Sequence, residues 1–442
     1  MNRILSCKLS CRPEPLMHSF GFKGGSVSQL WQVACVLTDD DGRQGLGLGV
    51  QSVLWSDTAV FSSLGPDSGN ECMLSLTRYA LNLLQGRTLL RPDLMLQQLL
   101  GPVWEYGRKI SGLADLRLTF VLNALTPVDW ALWQLYARQR QCFHLTELAP
   151  PRLCWGLEQR QPVLGNVPLI SYSTGQEEIL SLARQGTFLY KIKIGSAPGA
   201  PSDLDAMLAW DCNRLSEIHR LLERFETPYT DCGHPVYYLD ANGRYDTPRR
   251  VEALLEYAEK AGMLDRIVLL EEPFAEENLQ NVSALPVRVA GDESAHSAGD
   301  AVRLMDEYGY SAIALKPVAK TLSVTLDVLR EAHSRQVPCF CADLTVNPAM
   351  VQYNKCIAGR LAILPGLKAG VMESNGAQNY THWKSMEALN PSCGEPWTVP
   401  QNGFYSLNDR FYETDGGIWQ DYPHYQCWPD ILCNTASDRT EC

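Results

Sequence analysis

The chain has 442 residues, of which 45% are hydrophobic and 20% charged, and its formal net charge is −12. This length exceeds what one simple core accommodates, so the sequence predicts two domains with the composition of an ordinary globular protein. The negative charge argues against nucleic acid or an anionic membrane as the main partner.

Cysteine usage and the N-terminal residues indicate the compartment. The fifteen cysteines are scattered and form no paired C-x-x-C set, which favours buried thiols in a reducing compartment over a zinc site or a disulfide framework. The N-terminus turns polar before it could form a signal-peptide core, and no apolar run approaches the ~20 residues that cross a bilayer. We therefore expect a cytoplasmic protein.

The N-terminal region predicts a small antiparallel sheet followed by helices. Two strands, 31–37 and 44–47, flank a turn rich in Asp and Gly. Loops are predicted on either side of this hairpin, at 20–25 and 51–56. Helices are predicted after it, at 71–84 and 116–138. The second helix carries an apolar stripe that must pack against something large.

From about residue 168 the sequence alternates short β-rich runs with helical segments, which predicts a parallel (β/α)₈ barrel. The eight runs are 168–173, 188–194, 236–242, 267–273, 287–293, 312–316, 338–342 and 370–374. The segment 196–235 is long for one crossover, so we expect an insertion there. The predicted domains are a cap at 1–165, a barrel at 166–385, and a C-terminal segment at 386–442 that packs back on the cap.

Two lysines lie side by side on the second run. Because side chains alternate across a strand, Lys191 and Lys193 share one face. Like charge and burial both lower the affinity of an amine for its proton, so this pair predicts a lysine that acts as a base near neutral pH. The alternative is an exposed edge strand whose lysines block aggregation.

Three carboxylates lie at the ends of three later runs, at intervals of one β/α unit: Asp240, Glu271 and Asp292. A barrel brings such residues together at its C-terminal mouth, where they repel one another unless a cation is present. Hard oxygen ligands favour Mg²⁺. Helix caps and loop acids are the alternative, and Glu272 replaces Glu271 if the register slips by one residue.

Lys316 ends the sixth run, which lies across the barrel mouth from the second. Lys193 and Lys316 would then flank whatever the metal holds. A carboxylate bound to Mg²⁺ becomes acidic at its α-carbon, so one lysine could remove that proton and the other could return it or stabilise charge while a group leaves. A solvated surface lysine is the alternative for Lys316.

This ordered set of residues resembles the enolase superfamily, and within it the muconate-cycloisomerase subgroup. The motifs that carry the resemblance are Lys191-x-Lys193, Asp240-x-Asn242, Glu271-Glu272-Pro273, Asp292-Glu293-Ser294 and Lys316. It implies an α+β cap over a modified barrel, completed by the C-terminal segment, with a homo-oligomer as the assembly. It also implies Mg²⁺ on the three carboxylates, acid/base roles for Lys193 and Lys316 with Lys191 assisting, and mobile capping loops at 20–25 and 51–56.

Further residues are candidates for contacting substrate or supporting the ligands: Lys23, Asn242, Glu293, Asp343 and Glu373. The chain also departs from parts of the superfamily. The His-Asp pair of mandelate racemases and acid-sugar dehydratases lacks its histidine, and residues 373–376 read Glu-Ser-Asn-Gly where dipeptide epimerases carry paired aspartates.

The predicted function is racemisation, epimerisation or cycloisomerisation of a small carboxylic acid. The alternative within the same chemistry is syn-dehydration or another β-elimination of an acid sugar or hydroxy acid. A third hypothesis, from a different functional class, is a non-catalytic relative that keeps the barrel as a binding or structural protein. A redox protein using Cys339 and Cys341 is disfavoured, because no Gly-rich dinucleotide fingerprint accompanies them.

Overall fold

The computed structural model describes residues 2–22, 25–200 and 202–432. Lys23, which the sequence suggested as a substrate contact, lies outside the described residues. Within the described part of the chain, no helix combines the length and the apolar character that a bilayer crossing needs.

The N-terminal sheet has three antiparallel strands in the order β1-β2-β3. They are β1 (Ile4–Phe22), β2 (Gly25–Asp39) and β3 (Gln44–Gln51). The predicted hairpin is therefore confirmed. The predicted loop at 20–25 is wrong over most of its length, because β1 and β2 stay paired as far as Phe22 and Gly25.

Helices cover this sheet: α1 (Val53–Ser56), α2 (Thr58–Leu84), α3 (Pro92–Ser111), α4 (Leu118–Arg140) and α5 (Leu145–Leu148). The second predicted loop, 51–56, is also wrong, because β3 continues to Gln51 and a helical turn follows. The hydroxyl of Ser56 closes that turn by donating to the carbonyl of Ser52 at 2.8 Å.

Alternate glycines in β3 let α4 lie directly on the sheet. A Cβ at Gly47 would lie 1.9 Å from the carbonyl oxygen of Pro127, and one at Gly45 would lie 2.3 Å from that of Ala131. Only hydrogen fits at these positions. The run Gly45 to Gly49 is thus a packing surface for a buried helix.

The second sheet consists of β4 (Val163–Val167), β5 (Leu169–Ile170), β6 (Leu189–Lys193), β7 (Val236–Asp240), β8 (Ile267–Glu271), β9 (Val289–Gly291), β10 (Ala312–Leu315), β11 (Cys339–Cys341) and β12 (Gly370–Glu373). Neighbours from β5 to β12 are parallel and follow chain order. β4 pairs with β12 and β5 pairs with β6. Since β4 and β5 are one strand interrupted at Pro168, the sheet closes into an eight-stranded barrel.

The first barrel strand begins at Val163 rather than at residue 168, where the sequence placed it. Pro168 suggested a strand boundary there, yet the chain continues through it and its carbonyl accepts from the backbone of Lys191 at 3.1 Å. The other seven predicted runs each overlap one strand.

The barrel helices are α6 (Gln176–Arg184), α7 (Leu204–Leu222), α8 (Pro248–Lys260), α9 (Ala298–Asp306), α10 (Leu322–Ser334) and α11 (Pro348–Ala358). The expected insertion at 196–235 consists of α7 with long loops at both ends. Between β8 and β9, where every residue is described, the chain forms only a short 3₁₀ turn, Glu276–Asn278. These departures make it a modified (β/α)₈ barrel.

The C-terminal elements are α12 (Gly376–Asn379), α13 (Trp383–Ala388), β13 (Phe404–Ser406), α14 (Asp409–Thr414) and α15 (Pro423–Gln426). β13 extends the barrel sheet antiparallel to β4. Farther on, the segment reaches β1: Lys8 Nζ donates to the Gln426 carbonyl at 2.6 Å. The fold class is as predicted, an α+β cap completed by the C-terminal segment over a modified barrel; the domain boundaries stay predictions.

Helix α4 joins the cap to the barrel through buried polar contacts. Trp130 Nε1 donates to the carbonyl of Pro317 at 3.0 Å. Ser323, at the start of α10, donates its hydroxyl to Asp129 at 2.6 Å and receives a hydrogen bond from Trp133 Nε1 at 2.9 Å. The cap is thereby fixed to the loop that follows β10, which carries Lys316.

Candidate active site

A cavity of about 50 Å³ lies where the carboxyl ends of the barrel strands meet the cap. The cap contributes apolar walls, Leu30, Leu54 and Trp55. The barrel contributes charged and amide side chains: Lys191, Lys193, Asp240, Asn242, Asp292, Glu293, Lys316, Asp343, Glu373 and Asn375. Of the three predicted metal ligands, Asp240 and Asp292 line this cavity and Glu271 does not, whereas Lys191, Lys193 and Lys316 all line it.

Lys191 lies at the centre of the acidic residues. Its Nζ is 3.0 Å from Asp240 Oδ2, 2.9 Å from Glu271 Oε2 and 3.1 Å from Glu373 Oε2. Burial lowers the pKa of Lys191, but these three carboxylates more than offset that effect and raise the pKa well above its usual value. The prediction of a weakened amine is wrong for Lys191, because the acids on neighbouring strands outweigh the like charge beside it.

Lys193 faces the cavity from the same strand. Its Nζ donates to Asp240 Oδ2 at 2.7 Å and to Asn242 Oδ1 at 2.5 Å, and Lys193 and Asp240 are partners in the β6–β7 register. Because β6 is paired on both sides, the edge-strand interpretation of the two lysines is wrong.

Lys316 approaches from the far side of the mouth. It follows β10, which is separated from β6 by β7, β8 and β9. Its Nζ donates to Asp292 Oδ2 at 2.6 Å and lies 4.6 Å from the centre of the Trp55 ring. Burial lowers the pKa of Lys316, and Asp292 outweighs burial and raises it. Lys316 is therefore a buried ammonium under the cap, and the surface interpretation is wrong.

Three carboxylates offer oxygens within 4.8 Å of one another: Glu271, Asp292 and Glu293. Glu271 Oε1 and Glu293 Oε2 are buried and accept no hydrogen bond from any described residue. Burial raises the pKa of Glu271 to about 8. Buried carboxylate oxygens without partners are costly, and a divalent cation would satisfy both. This donor set fits Mg²⁺.

Asp240, the third predicted ligand, lies outside this cluster and shares the ammonium of Lys191 with Glu271. Burial raises its pKa, but Lys191 and Lys193 outweigh burial and lower the pKa to about 2. None of the three predicted ligands caps a helix, since α8 and α9 begin after Thr247 and Ser297. The helix-cap interpretation is therefore wrong for them.

Glu272 points away from the cavity. Its backbone adopts φ 43°, and its carboxylate accepts from the backbone N–H of Asp292 at 2.7 Å and of Ser294 at 3.2 Å. Glu272 thus supports the turn after β9 and leaves Glu271 as the inward-facing glutamate.

The remaining candidates form hydrogen-bonded walls. Asn242 Nδ2 donates to Glu293 Oε1 at 3.0 Å and so connects Lys193 with the acidic cluster. The backbone N–H of Asp343 donates to Glu373 Oε2 at 3.0 Å, on the Lys191 side of the cavity. Burial, with a contribution from Glu373, raises the pKa of Asp343 to about 7.

Sequence reasoning missed Lys320, Tyr238 and Trp55. Lys320 Nζ lies 3.2 Å from Asp292 Oδ1, and the Tyr238 hydroxyl donates to Glu271 Oε2. The available signal for Lys320 was a second lysine four residues after Lys316. Tyr238 shares the inward face of β7 with Asp240, and strand alternation alone could have found it.

A larger cleft of about 640 Å³ opens beside the cavity and shares Leu169 and Lys193 with it. Its walls are mostly polar side chains from the end of β1, the loop after β5 and α12, together with the carboxylate of Glu178 on α6: His18, Ser19, Ser171, Tyr172, Ser173, Thr174, Glu178, Gln378 and Asn379. A ligand that reaches Lys193 can therefore extend into polar surroundings.

A family model described as "Enolase C-terminal domain-like" matches residues 176–409, just over half of the chain. Comparison with curated proteins gives no match. Among solved structures, the L-Ala-D/L-Glu epimerase from Bacillus subtilis is 18% identical, with a TM-score of 0.60 over 85% of this chain and 90% of that one.

Two further structures have the same fold. The dipeptide epimerase from Cytophaga hutchinsonii, solved with Mg and D-Ala-L-Val, is 15% identical, with a TM-score of 0.61 over 85% of this chain and 88% of its own. The 2-chloromuconate cycloisomerase from Rhodococcus opacus 1CP is 19% identical, with a TM-score of 0.60 over 84% and 87%.

Proposed function

Because this chain belongs to the enolase C-terminal domain-like family and is a muconate-cycloisomerase-like member of the enolase superfamily, we propose that it is a Mg²⁺-dependent isomerase. It would remove the proton next to the carboxylate of a small acid and return a proton, giving racemisation, epimerisation or cycloisomerisation. One observation carries the proposal: Lys193 and Lys316 lie on opposite sides of a buried carboxylate cluster that includes Asp292.

Asp240, Glu271 and Asp292 would hold the ion. Asp240 and Glu271 already converge on one cation, the ammonium of Lys191, at 3.0 and 2.9 Å. Glu271 and Asp292 share the cluster with the unpartnered oxygen of Glu293. When bound, Mg²⁺ supplies the positive charge that makes the α-proton of a carboxylate substrate acidic.

The protein's own groups move the proton. An uncharged lysine on one face of the substrate accepts it, and the ammonium on the other face delivers one. Lys191 contacts three carboxylates in this site, and its ammonium would stabilise negative charge that develops on the substrate. The Trp55 ring, 4.6 Å from the ammonium of Lys316, would exclude water from that side.

The polar cleft beside Lys193 would hold the distal part of the substrate. Its serine, threonine and amide side chains favour a group that forms hydrogen bonds, and the carboxylate of Glu178 disfavours a negatively charged one. An acid with a hydroxylated or amide-bearing tail fits better than one with an aryl or alkyl tail. The number of subunits stays a prediction from the family resemblance.

A library of carboxylic acids, incubated in D₂O with Mg²⁺ and followed by NMR and mass spectrometry, tests the proposal. The library should contain acid sugars, dipeptides and N-acyl amino acids. Deuterium at the α-carbon without loss of water supports the isomerase. A keto-acid product lighter by one water supports syn-dehydration instead. The absence of exchange in every acid, with Mg²⁺ bound, indicates a non-catalytic relative.

A further inference from the structure

We propose that Lys320 is a positioning residue, one that holds Asp292 in the orientation in which its carboxylate binds the cation. This inference rests on the proposed function, because it concerns the metal site of that reaction. Lys320 lies in the loop between β10 and α10, outside the set of residues that the strand ends bring together.

Lys320 holds the turn after β9 by three contacts. Its Nζ donates to the backbone carbonyl of Asp292, lies 3.2 Å from Asp292 Oδ1 and donates to the carbonyl of Ala295 at 3.3 Å. The side chain of Lys320 is only 4% exposed. All three protons of the ammonium therefore have acceptors within one four-residue turn.

The same turn is held from the other side by Glu272. Its two carboxylate oxygens accept the backbone N–H groups of Asp292 and Ser294 at 2.7 and 3.2 Å. Within the turn, Ala295 N–H donates to the carbonyl of Asp292 at 2.9 Å. Lys320 thus supplies the donors and Glu272 the acceptors, and between them the backbone at Asp292 has little freedom to rotate.

Lys320 is itself fixed by its own loop. Its backbone N–H donates to the carbonyl of Lys316 at 2.7 Å. The next residue, Thr321, has φ 69°, a conformation that is uncommon for a β-branched residue, and its hydroxyl caps α10 by accepting from the N–H of Val324 at 3.2 Å. The strained residue turns the chain so that the amine of Lys320 points at Asp292.

Lys316 contacts the same carboxylate differently. Among the described residues, its Nζ donates a hydrogen bond to Asp292 Oδ2 alone, and it lies 4.6 Å from the centre of the Trp55 ring. Lys316 can therefore leave Oδ2 by changing one hydrogen bond, whereas Lys320 would have to give up three. Oδ2 is the oxygen that becomes available to a cation, and Oδ1 stays with Lys320.

These two lysines give opposite expectations for metal affinity. If each acted only as a charge, removing either would tighten the binding of a divalent cation, because an ammonium repels it. If Lys320 positions Asp292, removing it loosens binding despite the lost repulsion. Removing supporting partners of metal ligands commonly weakens affinity about 10- to 100-fold.

The experiment measures Mn²⁺ binding to the full chain by electron paramagnetic resonance and calorimetry, without substrate. The variants are Lys320→Met, Lys316→Met and, as a matched control, Lys260→Met, whose side chain on α8 is 79% exposed. Circular dichroism and thermal melting of the metal-free proteins check that each variant folds. We expect Lys320→Met to bind at least 10-fold more weakly, Lys316→Met to bind more tightly and Lys260→Met to match the wild type.

Equal or tighter binding by a folded Lys320→Met overturns the inference and leaves the metal site intact. A wild type that binds no Mn²⁺ overturns both the inference and the proposed function. If Lys320→Met does not fold, the Lys320→Arg variant replaces it, because arginine keeps the charge but displaces the hydrogen-bond donors. Weaker Mn²⁺ binding by Lys320→Arg than by the wild type supports the inference. Unchanged Mn²⁺ binding overturns it.

Discussion

The ammonium of Lys193 lies 2.7 Å from Oδ2 of Asp240, its partner on the neighbouring parallel strand. The pairing places a proton-transfer group and a proposed metal ligand at adjacent strand ends, where the barrel fixes their separation. The same arrangement recurs across the mouth between Lys316 and Asp292, at 2.6 Å. Each proposed acid/base group is thus bonded to one proposed ligand.

Lys193 and Lys316 lie on opposite sides of the proposed substrate site, so each should be needed for proton transfer on one face of the substrate. We expect Lys193→Met and Lys316→Met each to lower turnover about 10²- to 10⁴-fold, since each removes one proton-transfer group. For a racemised or epimerised substrate, each variant should still exchange the α-proton of one stereoisomer with D₂O. The measurement is NMR of both isomers, with Lys260→Met as the control.

Loss of exchange from the same isomer in both variants would contradict the assignment of one lysine to each face. Retention of full turnover in either variant would remove that lysine from the reaction.

Asp240 and Glu293 differ in their predicted effect on metal affinity. Asp240→Asn removes a proposed ligand, so we expect Mn²⁺ binding to weaken 100-fold or more. Glu293→Gln keeps an acceptor for Asn242, which donates to Glu293 Oε1 at 3.0 Å, and should weaken binding less than 10-fold. Calorimetric titration measures both. The reverse order of effects would make Glu293 the third ligand instead of Asp240.

Asp129 predicts a pH dependence of stability at the joint between cap and barrel. Burial raises its pKa from 3.8 to about 7, although Ser323 opposes the shift. The folded protein therefore holds a proton that the unfolded chain has released, and the stability from this group falls as the pH rises from about 4 to 7. For one proton, the free energy of unfolding falls by about 1.4 kcal/mol per pH unit in this range.

We expect Asp129→Asn to flatten that part of the profile and to be the more stable protein above pH 7. Urea unfolding at pH 5, 6, 7 and 8 measures the difference, and Glu252→Gln, at an exposed position on α8, is the control. Parallel profiles for wild type and Asp129→Asn would contradict the account.

Gly47→Ala tests the contact between β3 and α4. The added Cβ would lie 1.9 Å from the carbonyl oxygen of Pro127, a backbone clash that we expect to cost about 3 kcal/mol of unfolding free energy or more. Gly299→Ala in α9 is the matched change, because the nearest atom to its added Cβ is the Ser297 hydroxyl at 3.6 Å, an ordinary van der Waals distance, and it should gain up to about 1 kcal/mol. Equal effects in thermal or urea unfolding would contradict the packing.

The barrel and the position of its acids were predictable because both follow from local pattern. An apolar run that ends in a carboxylate, such as the runs that end at Asp240 and Glu271, indicates both a barrel strand and the end of that strand that lies at the barrel mouth. The first strand was placed too late because Pro168 interrupts it without ending it. Nothing local shows that the chain between β8 and β9 lacks a full helix.

The electrostatics of the site were not predictable from neighbours along the chain. Lys191 beside Lys193 suggested a weakened amine, whereas the acids that raise the pKa of Lys191 come from three other strands. Lys320 was missed for a related reason. Its contact with Asp292 depends on the backbone turn at Thr321, and no propensity predicts a positive φ at a threonine.

Anomalous diffraction from crystals soaked in Mn²⁺ tests the central claim most directly. The account predicts one peak per chain, roughly 2.0–2.3 Å from carboxylate oxygens of Asp240, Glu271 and Asp292, with Lys193 and Lys316 on opposite sides of it. A cavity without a peak, or a peak outside it, would contradict the account.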